Sequence, residues 1–348
     1  MVHDGRRQFL AMAALGGVAL AAGGTGYVLF ATIGSTRIVC YTSMDEAFAV
    51  DLFKMFKRKF GLDVAVQYDA ESEKTVGLAN RLIQEKNDPQ CDVFWNNEIL
   101  QTVRLAEAGL FQPFQPKSGA DLPPSMCDPQ HRWHGYAARV RCLLVNNKLI
   151  PPGGAPRFFS DFTQPQWKGR LAIANPIGGT TASQVAALWT IWGETRFKQF
   201  VADMKANHVR VESGNADSAQ AAAEGRAAAA LTDTDDALVR IAKGFDCRIE
   251  FPGQSPDYPG RLLIPTTVAL VKDAPHRAGG QRLVEAILDR STEQALADGP
   301  AGQMPVRPGM RPPKGLEHFD PNNLLEVDWV AVSKNFEASQ KFVIEAFN

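Results

Sequence analysis

From Ile38 to Gly61 the chain reads IVCYTSMDEAFAVDLFKMFKRKFG, and its periodicity changes part-way. Ile38–Tyr41 is a short apolar run containing β-branched residues, as in a buried strand. Phe48, Leu52, Phe53, Phe56 and Phe60 then recur at helical spacing. Between the two, Ser43-Met44-Asp45-Glu46 matches a capping box, with Ser43 as N-cap and Glu46 reaching back. Lys57, Arg58 and Lys59 fall at the negative end of the helix dipole, and Gly61 supplies a left-handed closing residue. The pattern then repeats. Asp63–Tyr68 alternates like a strand, and Ser72–Lys86 reads as a helix with Val76, Leu78, Leu82 and Ile83 inward. Cys91–Trp95 reads as a buried strand, and Glu98–Ala108 as a helix closed by Gly109. This order predicts an α/β protein with mixed, mostly parallel sheets and helices on both faces.

Working outward, a loop rich in Pro, Gly and Ser (Gln112–Asp128) leads to a strand-like Ala137–Val145. A second α/β unit follows: strand Leu171–Ala174, helices Ala182–Trp192 and Thr195–Ala206, and strand Val209–Glu212. Helix Ser218–Glu224, strand Ala227–Thr232 and helix Asp235–Lys243 complete it. Leu262–Val271 is a long apolar run placed to cross back to the first unit. Val327–Phe347 carries a helical apolar pattern.

The 348 residues suit two domains, and 37 Lys+Arg against 38 Asp+Glu leave a formal charge of −1. No basic excess exists to neutralise a run of phosphates, which argues against a nucleic-acid partner. Five cysteines without a CxxC form no disulfide scaffold, although Cys127 and Cys142 could pair in an oxidising compartment. Residues 1–36 read as an address: Arg6 and Arg7 precede an uncharged run from Gln8 to Thr36. Arg6-Arg7-Gln8-Phe9-Leu10 resembles a twin-arginine export motif, and Ala19-Leu20-Ala21 is a candidate cleavage site. The run also exceeds the roughly 20 apolar residues that span a bilayer, so an uncleaved inner-membrane anchor is the alternative. Both readings place the folded part outside the cytoplasm.

In open α/β sheets ligands bind beyond the carboxyl ends of strands. Those ends carry Thr42, Ser43 and Asp45; Asn96, Asn97 and Glu98; Gly179, Thr180 and Thr181; Asn215; and Asp233, Asp235 and Asp236. Hydroxyls, amides and carboxylates converge there without a nucleophile–base pair, which is the inventory of a recognition site. Ser43, Thr181 and Asp235 are equally in position to cap helices. Gly178-Gly179-Thr180-Thr181 before a helix suits an anion. Asp45, Glu98, Asp235 and Asp236 are candidates to meet a metal ion or an ammonium group. His131 and His134 lack further spaced ligands for zinc. Tyr258, between two prolines, reads as packing. Arg139 and Arg141 share one strand face and fit either a hinge near the cleft or a structural ion pair.

Val39-Cys-Tyr-Thr-Ser43, Asp92-Val-Phe-Trp-Asn-Asn-Glu98, Ile264-Pro-Thr-Thr-Val-Ala-Leu-Val-Lys-Asp-Ala-Pro-His276 and Gln303-Met-Pro-Val-Arg-Pro308 resemble the ferric-iron-type periplasmic binding proteins of ABC importers. The resemblance runs in order from Ile38 to Pro308. It implies a two-lobed flytrap without catalysis, closing on a small solute for a membrane permease. Residues 37–140 and 263–348 would form lobe 1 with its C-terminal helices, and 141–262 lobe 2. Iron-binding members use a His after the first strand, a Glu after the third and two adjacent Tyr in the second lobe. Here Asp45, then Asn97 with Glu98, and then Asp235-Asp236 stand at those places, so the tyrosinate site is absent. The anion-holding turn is retained in Gly179-Thr180-Thr181 with Asn215. Two cargoes satisfy this set: a small zwitterion such as an aminoalkyl phosphonate, or a ferric or divalent ion with a carboxylate or phosphate. A membrane-anchored sensor domain is the rival class. A metal-assisted hydrolase using Asp45, Glu98 and Asp235 is a weaker one, lacking an activated nucleophile.

Overall fold

The computed structural model describes residues 37–69, 76–252, 260–300 and 302–347. The export or anchor segment, the first residues of the helix expected from Ser72, and Tyr258 lie outside the described residues. Among the described residues, no helix is long and apolar enough to cross a membrane.

Strands β1 (Ile38–Thr42), β2 (Val64–Tyr68) and β3 (Val93–Asn96) alternate with helices α1 (Glu46–Phe60), α2 (Gly77–Gln84) and α3 (Ile99–Glu107). β1 pairs parallel with both β2 and β3, as strand–helix alternation requires. Leu52 and Phe56 of α1 pack into a core with Trp95, Tyr136, Val268, Leu283 and Ile287. Gly61 closes α1 at φ 63°, donating to Lys57 O. The capping box does not form. The helix begins two residues later, with Asp45 as N-cap, and the Ser43 hydroxyl is drawn to the neighbouring strand end instead.

β4 (His134–Asn146) joins the two halves of the sheet. Its first part pairs antiparallel with β9 (Leu263–Leu270), which continues onto β3. Its second part, from Arg141, pairs antiparallel with β7 (Ala229–Asp233) and β8 (Cys247–Glu250). β5 (Leu171–Ala174) then pairs parallel with β7 and β6 (Arg210–Glu212). The sheet is thus parallel on its flanks and antiparallel through the middle. A register shift between Tyr136 and Ala138 puts Ala137 at φ 37°, a bulge whose N–H is taken by Glu293.

In the second half, α4 (Gly179–Trp192) starts three residues before the expected Ala182, which brings Thr180 and Thr181 into its first turn. It is followed by α5 (Glu194–Ala206), α6 (Asn215–Ala223) and α7 (Thr234–Ala242). Ala219, Ala221 and Ala222 let α6 lie close on Leu144, Ala172 and Ala230. α8 (Arg277–Ile287) and α9 (Arg290–Asp298) return to the first half. α10 (Trp329–Phe347) sets Val332 and Phe336 against Leu100 of α3 and Ala182, Ala186 and Ala187 of α4. All five cysteines are free thiols, so the Cys127–Cys142 bridge is not made.

Candidate functional site

Two polar clusters form at the strand ends. The first belongs to β1 and β3. Ser43 Oγ donates to Asn96 Oδ1 at 2.6 Å and accepts from the Asn97 N–H at 2.8 Å. Thr42 Oγ1 accepts from the Met44 N–H at 3.1 Å. Asn96 Nδ2 donates to the Glu98 carbonyl and to its Oε1. Glu98 caps α3 by accepting from the Leu100 and Gln101 N–H groups, and it also accepts from Ser183 Oγ of α4 at 2.6 Å. Burial pushes the Glu98 carboxyl up, while those four donors pull the other way. Asn97 Oδ1 accepts from Thr266 and Gln303. Thr42, Ser43, Asn96 and Glu98 therefore hold the scaffold together. A metal ion at Glu98 would have to displace the cap.

The second cluster surrounds β4. Arg141 is buried and fully engaged. Its Nε donates to Gln184, and its Nη1 to Asp233 Oδ1 and Asn215 Oδ1, each at 2.9 Å. Thr180 and Thr181 accept weaker bonds at 3.3 Å. Asp233 Oδ2 in turn accepts from Thr180 Oγ1 at 2.5 Å and from Asn215 Nδ2 at 2.9 Å. Gly179, at φ +60°, makes the turn into α4 that only glycine enters readily. Two side chains from the expected anion site, Thr180 and Asn215, thus already hold an internal anion, the carboxylate of Asp233.

Two residues earlier on the same strand, Arg139 is treated differently. Its side chain is 8% exposed, and its Nη1 stands 3.8 Å from Asp235 Oδ2 and 3.9 Å from Asp233 Oδ2, too far for hydrogen bonds. Its Nε and Nη2 are buried without a partner. Burial opposes its charge, but Asp235, Asp233, Asp236 and Asp45 outweigh that and raise its pKa. Asp45 is the N-cap of α1 in the first half of the sheet, and the other three lie in the second. Burial, then the neighbouring Asp236 and Asp233, push the Asp235 carboxyl well up, with Arg139 opposing. The N-caps of α4 and α7 are Gly178 and Asp233, so neither Thr181 nor Asp235 is a cap.

Asp233, Asp235 and Asp236 bring ligand atoms within 4.8 Å of one another. As a cation site the set is poor, because Asp233 already pairs with Arg141 and a second guanidinium lies beside it. Sequence reasoning weighed Arg139 and Arg141 without committing to them, and it missed Ser183, Gln184, Thr266 and Gln303. The Arg-x-Arg spacing on a strand that crosses between halves was the available signal. Gln303 stood out only as the start of the Gln303–Pro308 stretch, and Gln184 gave no signal.

Against known proteins, the model of the family described as bacterial extracellular solute-binding protein matches residues 91–335. This chain belongs to that family. The Fe(3+)-binding periplasmic protein of Serratia marcescens is 30% identical over 200 residues, 57% of this solute-binding protein and 58% of the relative's length. A putative 2-aminoethylphosphonate-binding periplasmic protein of Salmonella typhi is 22% identical over 277 residues, 76% and 78% of the two chains. In fold, the apo ferric ion-binding protein A of Pasteurella haemolytica superposes with a TM-score of 0.79 at 21% identity. That match covers 90% of this solute-binding protein and 98% of the other chain. The fold is the two-lobed periplasmic-binding-protein fold, and the family is one of binding proteins rather than enzymes.

Proposed function

We propose that this protein is the solute-capturing component of an ABC-type importer. It works in the periplasm, delivers to a membrane permease, and closes lobe 2 (141–262) onto lobe 1 (37–140 with 263–348) around its cargo. Residues 1–36 export it, by the twin-arginine route, or tether it to the inner membrane. The cargo is a small oxyanion that carries its own positive charge, such as an aminoalkyl phosphonate. The carrying observation is at Arg139: a buried cation with two unused donors, and the Asp235 carboxylate 3.8 Å from its Nη1. A bare anion would add charge beside the buried Asp235 carboxylate, and a bare cation would meet two guanidinium groups.

The test is a thermal-shift and calorimetric comparison of ferric chloride, inorganic phosphate and 2-aminoethylphosphonate. Stabilisation by the aminophosphonate is expected, whereas a response to ferric salt alone sinks this reading. Asp235→Asn should weaken the aminophosphonate about tenfold, the equivalent of one charge-assisted hydrogen bond, and leave phosphate little changed. Ferric iron bound with a synergistic anion is the second reading, favoured by the closeness of the Asp233, Asp235 and Asp236 oxygens.

A further inference from the structure

We infer that the Nε/Nη2 edge of Arg139 is the anion-holding element of the site, gripping two oxygens of one carboxylate, phosphonate or phosphate group. The inference rests on the solute-receptor reading and adds to it the residue and the binding mode. A guanidinium offers its side edge as two parallel N–H donors that match the two oxygens of an oxyanion. In Arg139 those two atoms, Nε and Nη2, are the ones without partners, while Nη1 is turned toward Asp233 and Asp235. The two arginines divide the work. Arg141 has donors from all three nitrogens engaged by Gln184, Asp233, Asn215, Thr180 and Thr181. In the Gly179-Thr180-Thr181 turn, the Thr180 hydroxyl and the Asn215 amide are already spent on Asp233.

A buried donor pair with no acceptor is rare in folded proteins and calls for an occupant. The occupant must be an acceptor of oxygen type with a planar or tetrahedral pair of oxygens. Once it sits on Arg139, Asp235, whose Oδ2 lies 3.8 Å from Nη1, is the carboxylate placed to meet a positive group on the ligand. This is why a zwitterion is expected to outbind the plain anion. Since both nitrogens are out of solvent, a solute reaches them only while the lobes are apart and is sealed in when they close.

The experiment is calorimetry on the purified full-length chain with 2-aminoethylphosphonate, β-alanine, phosphate and ferric chloride, for the wild type, Arg139→Lys and Arg139→Gln. Lysine keeps the charge and loses the fork, so a loss of about 50-fold or more in oxyanion affinity with an unchanged melting temperature is expected. Arg139→Gln should abolish binding. A wild-type co-crystal with the tightest probe gives a readout that does not depend on either variant folding. Ligand oxygens are expected about 2.9 Å from Nε and Nη2. Oxyanion binding that Arg139→Lys leaves intact, or a co-crystal with the anion elsewhere, overturns this assignment and spares the receptor reading. Wild-type binding of ferric ion alone overturns this assignment together with the oxyanion cargo, and leaves the receptor role standing.

Discussion

The cluster at Ser43, Asn96 and Glu98 and the cluster at Arg139, Asp235 and Asp236 are built from strand ends of the same kind, yet they differ in one respect. In the first, a single carboxylate receives four hydrogen bonds, and its neighbours bond to one another at 2.6–3.0 Å. In the second, opposite charges stand 3.8–3.9 Å apart and two guanidinium donors go unused. An unmade buried hydrogen bond costs about 1–3 kcal/mol, so the second cluster is strained where the first is at rest. Polarity at a strand end does not separate scaffold from site, and under the reading proposed above the unmet hydrogen bonds of Arg139 do.

The sharpest way to break this contrast is at Arg141, the satisfied twin of Arg139. Arg141→Leu leaves the Asp233 carboxylate buried without its cation, and a loss of about 3–5 kcal/mol in urea unfolding is expected. Arg139→Gln should cost far less, or nothing, because no close bond is lost. Equal destabilisation by the two would erase the distinction drawn here. Next in size is Glu98→Ala, which uncaps α3 and frees the Ser183 hydroxyl, for about 2–3 kcal/mol. Ligand affinity should change only through stability, so a variant that stays folded yet binds nothing would move Glu98 back among the ligand groups.

Much of the fold was legible because its signals are local. The strand-to-helix change at Ile38–Gly61 and the left-handed Gly61 depend on neighbours in sequence, and β1 and α1 formed where expected. The capping box failed because Ser43 had a better offer from Asn96, 53 residues away, which no local rule weighs. The start of α4 shifted for a similar reason: Thr180 and Thr181 are held by Arg141 and Asn215 from other elements. Site residues suffered most. Asp233 looked like one of three carboxylates in a loop, and only pairing with Arg141 across β4–β7 shows it to be the internal anion.

A smaller effect concerns how α7, which carries Asp235 and Asp236, is held. Leu238 on that helix faces Gly302 and Gly315, and a Cβ on Gly302 would lie 2.8 Å from Leu238 Cδ1. Gly302 also sits at φ +50°, where an added side chain is strained. Gly302→Ala is expected to destabilise by about 1–2 kcal/mol through overpacking and backbone strain. Leu238→Ala in the same chain should recover the packing part but not the backbone part. Full recovery, or none, in the double-mutant cycle would misplace the contact.

The smallest expected effect tests whether an unused buried nitrogen must always mean a ligand. His134 Nδ1 is also buried without a partner, while Nε2–H donates to the Phe114 carbonyl at 2.9 Å. Unlike Arg139, this ring can answer burial by staying neutral. Burial holds its pKa below the ordinary value of 6.5, against the Phe114 carbonyl and nearby carboxylates, with His131 adding to the lowering. The unfolded chain therefore binds protons first as the pH falls through about 6.5, and stability drops from there toward the depressed folded value. In melting experiments between pH 7 and pH 5, His134→Gln should flatten that slope by less than about 1 kcal/mol, since its amide can still donate to Phe114. Ligand affinity at neutral pH should be untouched. A neutral imidazole carries an idle lone pair at modest cost, whereas a guanidinium cannot shed its proton, so two unanswered donors on one edge, as in Arg139, are the costlier case.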